Sequence, residues 1–129
     1  MKRRPLRVVD YLGHIDQAIE RIKNYTEPLD QAAFMQTDKE AIKTQDAVIR
    51  CIEIVGEASK NIRQADPDFV ASNKVAFHSA YEMRNVLAHQ YFDVDMAIVW
   101  HTAREVLPDL QAQVRALIAK FPKDDHEPV

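Results

Sequence analysis

The sequence predicts an all-α fold, an up-and-down bundle of four or five helices. Only two of its 129 residues are glycine, which disfavours an all-β fold with many tight turns. Apolar residues recur at steps of three and four, and no segment shows the strict alternation of a half-buried strand. The length suits one domain with its own core. We therefore predict a single helical domain over residues 1–129, with residues 121–129 forming a frayed tail.

Composition and charge narrow the classes of protein that fit this chain. A formal net charge of -3 argues against coating nucleic acid with a broad basic surface, because that requires many phosphate contacts. A local basic site remains compatible with this charge. No run approaches the roughly 18 apolar residues that cross a bilayer, and the basic start Met1–Arg4 leads to Pro5 instead of an apolar signal core. We predict a cytoplasmic protein without membrane contact.

The first helix is predicted from Val8 to Tyr25, where apolar residues at steps of four and three share one side. Gly13 inside this helix favours close packing against a neighbour. Residues 26–36 are predicted to be a connection that places either Phe34 or Met35 in the core. The apolar side of the helix consists of Val8, Leu12, Ile15, Ile19 and Ile22.

The second helix is predicted to begin after Thr37 or Asp38 and to reach about Gln64. Thr37 and Glu40 have the spacing of a capping box. The middle is apolar nearly all round, which predicts a central position in the bundle. The only cysteine of the chain, Cys51, is predicted to pack there as a small apolar side chain. The main seam is Val48, Ile52, Val55, Ala58 and Ile62, broadened by Ile49, Cys51 and Ile54.

One flank of the second helix carries charged residues at steps of four, three and four, namely Asp46, Arg50, Glu53 and Glu57. Side chains at these spacings can pair along a helix. We predict a solvated or partly buried ladder of ion pairs. The alternative is a direct role in chemistry.

Proline residues divide the rest of the chain into further helical segments. Pro67 predicts a break and a short helical turn, after which Ser72 or Asn73 caps a third helix. A fourth helix follows, Pro108 kinks or restarts it, and Pro122 ends the last segment. The predicted core residues are Ala76, Ala80, Met83 and Leu87, then Met96, Val99, Trp100, Ala103, Val106 and Leu107, and finally Leu110, Val114, Leu117 and Phe121.

The segment from Arg84 to Tyr91 concentrates the chemistry of the chain. Within about two helical turns it holds a permanently charged arginine, a histidine that titrates near neutral pH and a tyrosine hydroxyl. On an ideal helix, His89 would lie about 140° around from Arg84. Either the chain turns near His89, or a second copy completes the site. A two-fold symmetric homodimer does this economically, and we predict one.

These residues suit cleavage of RNA without a metal or a cofactor. The reaction needs a base for the 2′-hydroxyl, an acid for the 5′-leaving oxygen and positive charge near the phosphorane. His89 and its symmetry mate would divide the proton transfers, while Arg84 would offer paired donors to the non-bridging oxygens. Asn85 would orient either partner. The expected products carry a 2′,3′-cyclic phosphate and a free 5′-hydroxyl.

The spacing alone also permits structural readings. Arg84 would then be a surface residue, His89 a capping residue and Tyr91 a half-buried aromatic. His101 and Glu105, four positions apart, could share a metal, but no third ligand follows from the sequence, and we predict a helix-surface pair. Trp100 and Phe92 are predicted to make core or dimer contacts instead of stacking on bases.

An ordered set of motifs resembles the HepT-like toxins of the HEPN superfamily. The central match is Met83–Phe92, which fits the family pattern of Arg, a polar residue, three others, His, one other and Tyr. The resemblance covers most of the chain in the right order. The other matching segments are Asp46–Arg50, Ile54–Ala58, Val94–Asp95, Ile98–Trp100 and Leu107–Leu110.

The resemblance implies a HEPN-type helical bundle that dimerises with its two motifs facing each other. It implies a metal-independent endoribonuclease with Arg84 and His89 as catalytic residues. Such proteins are the toxins of type VII toxin–antitoxin systems of the HepT/MntA kind, whose partner is an MNT-type nucleotidyltransferase antitoxin. Tyr91 is then the hydroxyl that receives AMP and silences the toxin, since AMP adds bulk and negative charge to a cleft built for an RNA phosphate.

The chain departs from the family pattern at two positions ahead of the motif. Family members often carry Trp and Gly where this chain has Phe77 and Glu82, and Glu82 adds a negative charge near the predicted site. Two other functions therefore stay open. One is a HEPN module without catalysis that binds the nucleotidyltransferase and is modified by it, and the other is a purely structural helical dimer.

Overall fold

A computed structural model of the chain describes residues 7–73 and 95–122, and all regular structure in these ranges is helical. This confirms the prediction of an all-α fold. Among the described residues, no helix has both the length and the apolar character needed to span a membrane. The elements are α1 (Val8–Thr26), α2 (Gln31–Phe34), α3 (Lys39–Ala65), α4 (Pro67–Ser72), α5 (Met96–His101), a π-helical turn (Thr102–Val106) and α6 (Leu107–Ile118).

The pairing of α1 with α3 forms the centre of the core, and α6 packs on another side of α1. Four of the five residues predicted for the apolar side of α1 are fully buried, whereas Val8 is half-buried. Gly13 does not serve close packing, because a Cβ atom added there would meet no atom within 4 Å. It lies about 100° around the helix from the buried Leu12, beside the packed face and not on it.

The connection between α1 and α3 contains a short helix that the periodicity did not predict. Asp30 caps α2 by accepting a hydrogen bond from the Ala33 backbone N–H at 2.8 Å. The buried anchor is Phe34, which is fully buried, whereas Met35 is 41% exposed. The Gln45 side-chain amide of α3 donates to the carbonyl of Phe34 at 2.8 Å. This bond fixes the connection to the long helix.

The long helix α3 begins at Lys39 with Asp38 as its N-cap, which confirms the predicted start. The predicted capping box of Thr37 and Glu40 is wrong, because Thr37 precedes the N-cap and Asp38 makes no side-chain capping bond. The predicted seam is buried throughout, while Ile49 and Ile54 are half-buried. The helix contacts α1, α2, α4 and α5, as expected for a central position.

The junction before α6 is a π-helical turn, where the sequence predicted a kink or a new helix start at Pro108. Within it the Leu107 N–H donates to the carbonyl of Thr102, five residues back. Pro108 has no N–H to continue the normal ladder, so the wider turn accommodates it at the start of α6. The buried face of α6 is apolar apart from one glutamine and consists of Leu107, Leu110, Gln111, Val114 and Leu117.

The last helix ends at Ile118, four residues before the predicted stop at Pro122. The Phe121 N–H still donates to the carbonyl of Ile118 at 3.0 Å. The Phe121 ring lies 6.0 Å from the ring of Phe69 in α4. Phe121, which the sequence predicted both as a core residue and as the first residue of the tail, is half-buried on the bundle.

Candidate functional site

The four residues that the sequence assigns to the site, Arg84, Asn85, His89 and Tyr91, lie outside the residues that the structure describes. What the structure shows is the framework that holds the chain on either side of them, up to Asn73 and from Asp95 onward. The other predicted features outside the described residues are Ala76, Ala80, Met83 and Leu87 of the third helix, together with Phe77, His78, Glu82, Phe92 and His126.

A capped short helix holds the chain before this segment. The Phe69 N–H donates to the Asp66 carboxylate at 3.1 Å at the start of α4, and Asn73 Nδ2 donates to the Phe69 carbonyl at 2.8 Å at its end. The Phe69 ring contacts Phe121. The helix is therefore attached both to the end of α3 and to the chain that follows α6.

A second cap begins the chain after this segment. The Ala97 N–H donates to the Asp95 carboxylate at 2.9 Å, and the Val99 N–H donates to the Asp95 carbonyl at 3.1 Å. Val99 is buried. The ring of Trp100 lies 5.2 Å from that of Phe34, so this predicted core or dimer residue makes a core contact within the chain.

A polar network joins α1 to α6 through a buried glutamine. Gln111 is 3% exposed, and its side-chain nitrogen donates to Asp16 Oδ1 at 3.0 Å and to Glu20 Oε2 at 3.1 Å. Its side-chain oxygen accepts from Lys23 Nζ at 3.2 Å. Arg115 completes the network, with Nε 2.8 Å from Asp16 Oδ1 and Nη2 3.4 Å from Glu20 Oε2. Charged groups of both signs therefore surround the Gln111 side-chain amide, and both its oxygen and its nitrogen have hydrogen-bond partners.

A cleft of about 400 Å³ lies beside this network, between the end of α1 and the π-helical turn. Arg104 from that turn donates through Nη1 to the carbonyl of Thr26 at 3.0 Å. Its guanidinium lies over the ring of Trp100, 5.1 Å from the ring centroid. A cation at the carboxyl end of a helix is favourable for the helix dipole. The cleft is lined by Glu20, Lys23, Asn24, Thr26, Glu27, Ala103, Arg104 and Pro108.

The thiol of Cys51 is held in its neutral form. Burial raises the pKa of Cys51, and the positive charges of Arg21 and Arg50 oppose this effect only in part. The side chain is 4% exposed. The burial confirms the prediction that Cys51 packs as a small apolar residue, and the raised pKa disfavours the reactive thiolate.

The remaining candidates from the sequence are surface residues. Asp46, Arg50, Glu53 and Glu57 are all exposed on α3, and Arg50 pairs with Glu53 at 3.4 Å. The flank is solvated, as predicted, but these four residues form one ion pair and not the predicted ladder of pairs.

The histidines within the described ranges are also exposed. His101 and Glu105 both face solvent, and His14 contacts the ring of Tyr11 at 5.9 Å. Within residues 7–73 and 95–122, no three His, Cys, Asp or Glu side chains are placed to share a metal ion. The pair of His101 and Glu105 therefore gains no third ligand from this part of the chain.

Sequence reasoning missed the roles of Gln111, Arg104 and Arg115. Their partners are 78 to 99 positions away in the chain, and no local spacing indicates contacts at that range. Gln111 offered one weak signal, because it continues the buried face of α6 next to Leu110 and Val114. A polar residue at such a position requires a partner.

Comparison with known protein families identifies a family that this chain matches. A family model described as Ribonuclease HepT-like matches residues 15–117, a range that begins within α1, ends within α6 and includes the segment from Arg84 to Tyr91. The comparison with solved structures finds no significant match.

Curated relatives with similar sequences are also named as ribonucleases. The chain is 40% identical over 109 residues to a protein of Thermococcus cleftensis named "Probable ribonuclease HepT", with 84% of this chain and 93% of that protein covered. It is 33% identical over 114 residues to a protein of Caldanaerobacter subterraneus whose name proposes an RNase, with 85% and 93% covered. A longer protein of Methanocaldococcus jannaschii, whose name combines gamma-glutamylcyclotransferase with a proposed RNase, is 34% identical over 114 residues, which are 88% of this chain and 49% of that protein.

The family model covers most of the chain, and the similarity to two of these relatives extends over nearly their whole length. This chain therefore belongs to the HepT-like ribonuclease family.

Proposed function

We propose that this protein is a metal-independent endoribonuclease that acts as a homodimer and is the toxin of a type VII toxin–antitoxin pair. The observation that carries this proposal is the match of residues 15–117 to the HepT-like ribonuclease family, because that range contains Arg84 and His89 in the family's spacing. The named ribonuclease relatives support the same activity. The substrate is RNA.

The chemistry follows from the groups in the motif. His89 of one copy removes the proton from a 2′-hydroxyl, and His89 of the second copy protonates the 5′-leaving oxygen. Arg84 stabilises the negative charge of the phosphorane with its paired N–H donors, and Asn85 orients either partner. The 2′-oxygen bonds to phosphorus as the bond from phosphorus to the 5′-oxygen breaks. A 2′,3′-cyclic phosphate and a 5′-hydroxyl result, without a metal or a cofactor.

The same segment also contains the tyrosine through which the ribonuclease is inhibited. An MNT-type nucleotidyltransferase antitoxin transfers AMP from ATP to the hydroxyl of Tyr91, and pyrophosphate leaves. The bound AMP places negative charge and bulk two residues from His89. Both effects oppose entry of an RNA phosphate.

Expression without antitoxin tests the nuclease proposal. Wild-type protein should arrest growth, and His89→Ala should not. The matched control is His101→Ala, a change at an exposed histidine of α5, which should arrest growth as wild type does. Equal harmlessness of wild type and His89→Ala would reject the nuclease reading.

The reaction itself is tested with purified protein and end-labelled RNA in excess EDTA. We expect cutting to continue and the upstream product to end in a cyclic phosphate. DNA of the same sequence should survive, because it lacks the 2′-hydroxyl nucleophile. A requirement for added metal would reject the roles assigned to Arg84 and His89.

A HEPN module without catalysis is the second candidate, and one sequence feature favours it. Glu82 places a negative charge two residues before Arg84, at a position where family members often carry Gly. Such a module would bind the nucleotidyltransferase and accept AMP without cutting RNA. Modification of the wild type, together with RNA that stays intact under all conditions, would support it.

A further inference from the structure

The cleft between α1 and the π-helical turn contains hydrogen-bonding groups that the fold leaves unused. Within the described part of the chain, the carboxylate of Glu27 and the side-chain amide of Asn24 have no hydrogen-bond partner, and both residues are exposed. Arg104 uses Nη1 on the Thr26 carbonyl, which leaves its other donors for a ligand. Lys23 donates to Gln111 at 3.2 Å and lies 4.0 Å from Glu20 Oε2, and an ammonium group has three donors.

The charges in the cleft are balanced. Lys23 and Arg104 are positive, while Glu20 and Glu27 are negative. Glu20 is already engaged by Arg115 and Gln111, so Glu27 is the carboxylate that remains open to a ligand. A balanced site of this kind favours a neutral ligand with donors and acceptors on one edge over a bare phosphate.

The apolar and planar surfaces of the cleft favour a flat ligand. Ala103 and Pro108 supply apolar lining. The Arg104 guanidinium has one face over Trp100, and Arg104 is exposed. A guanidinium plane can also stack on an unpaired RNA base. A volume of about 400 Å³ lies in the range of small-molecule sites.

We propose that this cleft binds an unpaired guanine base of the RNA substrate. Guanine presents two adjacent N–H donors, at N1 and N2, which match the two oxygens of the Glu27 carboxylate. Its O6 acceptor faces the donors of Lys23 and Asn24, and its ring stacks on Arg104. Adenine has an acceptor at N1, which the carboxylate repels. The choice of RNA over a free guanine nucleotide rests on the proposed ribonuclease function.

Binding to uncleavable probes tests the site apart from the nuclease activity. The probes are 2′-O-methyl oligouridines of seven residues with a single central guanine, adenine or inosine, because a blocked 2′-oxygen cannot attack. The affinity of wild-type protein is measured by fluorescence anisotropy at one fixed salt concentration. We expect the guanine probe to bind about tenfold more tightly than the adenine probe, and inosine, which lacks the N2 amine, to fall between them.

Two variants remove the recognition, and each has a matched control. Glu27→Gln should reduce the preference for guanine over adenine at least about fivefold while binding of the adenine probe changes little. Arg104→Gln should weaken all three probes, because it removes the stacking plane. The controls are Glu57→Gln and Arg21→Gln, exposed residues of the same types outside the cleft, which should behave as wild type. Equal thermal midpoints establish that each variant is folded.

The outcomes separate this proposal from the proposed function. If His89→Ala stops cutting but keeps the guanine preference, both stand. If wild type never cuts RNA yet selects the guanine probe, the base site stands and the nuclease function fails. An unchanged preference in Glu27→Gln, or no preference in wild type, overturns the base site.

Other occupants are separated by two further measurements. Guanosine monophosphate that binds as tightly as the guanine probe would assign the cleft to a free nucleotide and overturn the RNA source. Weaker binding of the nucleotidyltransferase by Glu27→Gln and Arg104→Gln, with RNA binding unaffected, would make the cleft a protein interface and overturn the proposal.

Discussion

The side-chain nitrogen of Gln111 lies 3.0 Å from Asp16 Oδ1, although 95 positions separate the two residues in the chain. This contact ties the last helix to the first. Gln111 is almost fully buried, so its amide depends on Asp16, Glu20 and Lys23 for its hydrogen bonds. The network makes the seam between α1 and α6 specific in register, since an apolar contact alone would tolerate sliding.

Gln111→Ala should lower the free energy of unfolding by about 1–3 kcal/mol. The change removes three hydrogen bonds and leaves a small cavity beside partly exposed carboxylates. Urea unfolding followed by circular dichroism measures the effect. Gln113→Ala is the matched control, because Gln113 is exposed on the same helix, and it should change stability by less than about 0.5 kcal/mol. Equal effects of the two changes would show that the buried network adds no stability.

Phe34→Ala should destabilise the fold by about 3–5 kcal/mol, because it empties a fully buried site next to Trp100. Met35→Ala should cost far less, since Met35 is 41% exposed. The same urea titration compares the two variants. A larger loss from Met35→Ala would contradict the placement of Phe34 as the anchor of the connection.

The residues of α1 and of the connection after it show where helical periodicity predicts burial and where it does not. Steps of three and four identified Leu12, Ile15, Ile19 and Ile22 as core, because burial on a helix follows the 3.6-residue repeat. The same repeat could not choose between Phe34 and Met35, since their segment has a single helical turn. The choice depends on the position of Trp100, which is far away in sequence.

The π-helical turn and the cleft show a second limit of prediction from the sequence. Pro108 signalled a disturbance of the helix, but the hydrogen bond from Leu107 to Thr102 depends on how α5 and α6 pack on different neighbours. Arg104 lies in that turn and donates to the carbonyl of Thr26, 78 positions away. The motif from Arg84 to His89 lies outside the described residues, so the roles of Arg84 and His89 stay predictions from their spacing and from the family resemblance.

Stability should fall at alkaline pH in part through Cys51. Burial raises the pKa of this thiol in the folded protein, whereas in the unfolded chain the thiol ionises at its lower, ordinary pKa. The unfolded state therefore loses the proton first, and the stabilisation present below that ordinary pKa is lost as pH rises through the folded pKa.

Cys51→Ala isolates this contribution. The measurement is the loss of unfolding free energy between pH 7.5 and pH 10, which should be smaller in Cys51→Ala than in wild type. Iodoacetamide provides an independent check, because the native thiol should react far more slowly than the thiol in urea. Equal pH dependence of the two proteins, with rapid native labelling, would contradict a buried neutral thiol.

Tyr91 should be the residue that the nucleotidyltransferase modifies. After incubation of the protein with a cognate enzyme and ATP, intact mass spectrometry should detect one or more added AMP groups on wild type and none on Tyr91→Phe. Tyr25→Phe is the control, since Tyr25 is exposed at the end of α1 and lies outside the motif. Its modification should equal that of wild type.

Modified wild type should also cut RNA more slowly than unmodified protein, because AMP places negative charge where the RNA phosphate must bind. Full modification of Tyr91→Phe would move the acceptor to another residue, and unimpaired cutting by the modified protein would separate the modification from inhibition.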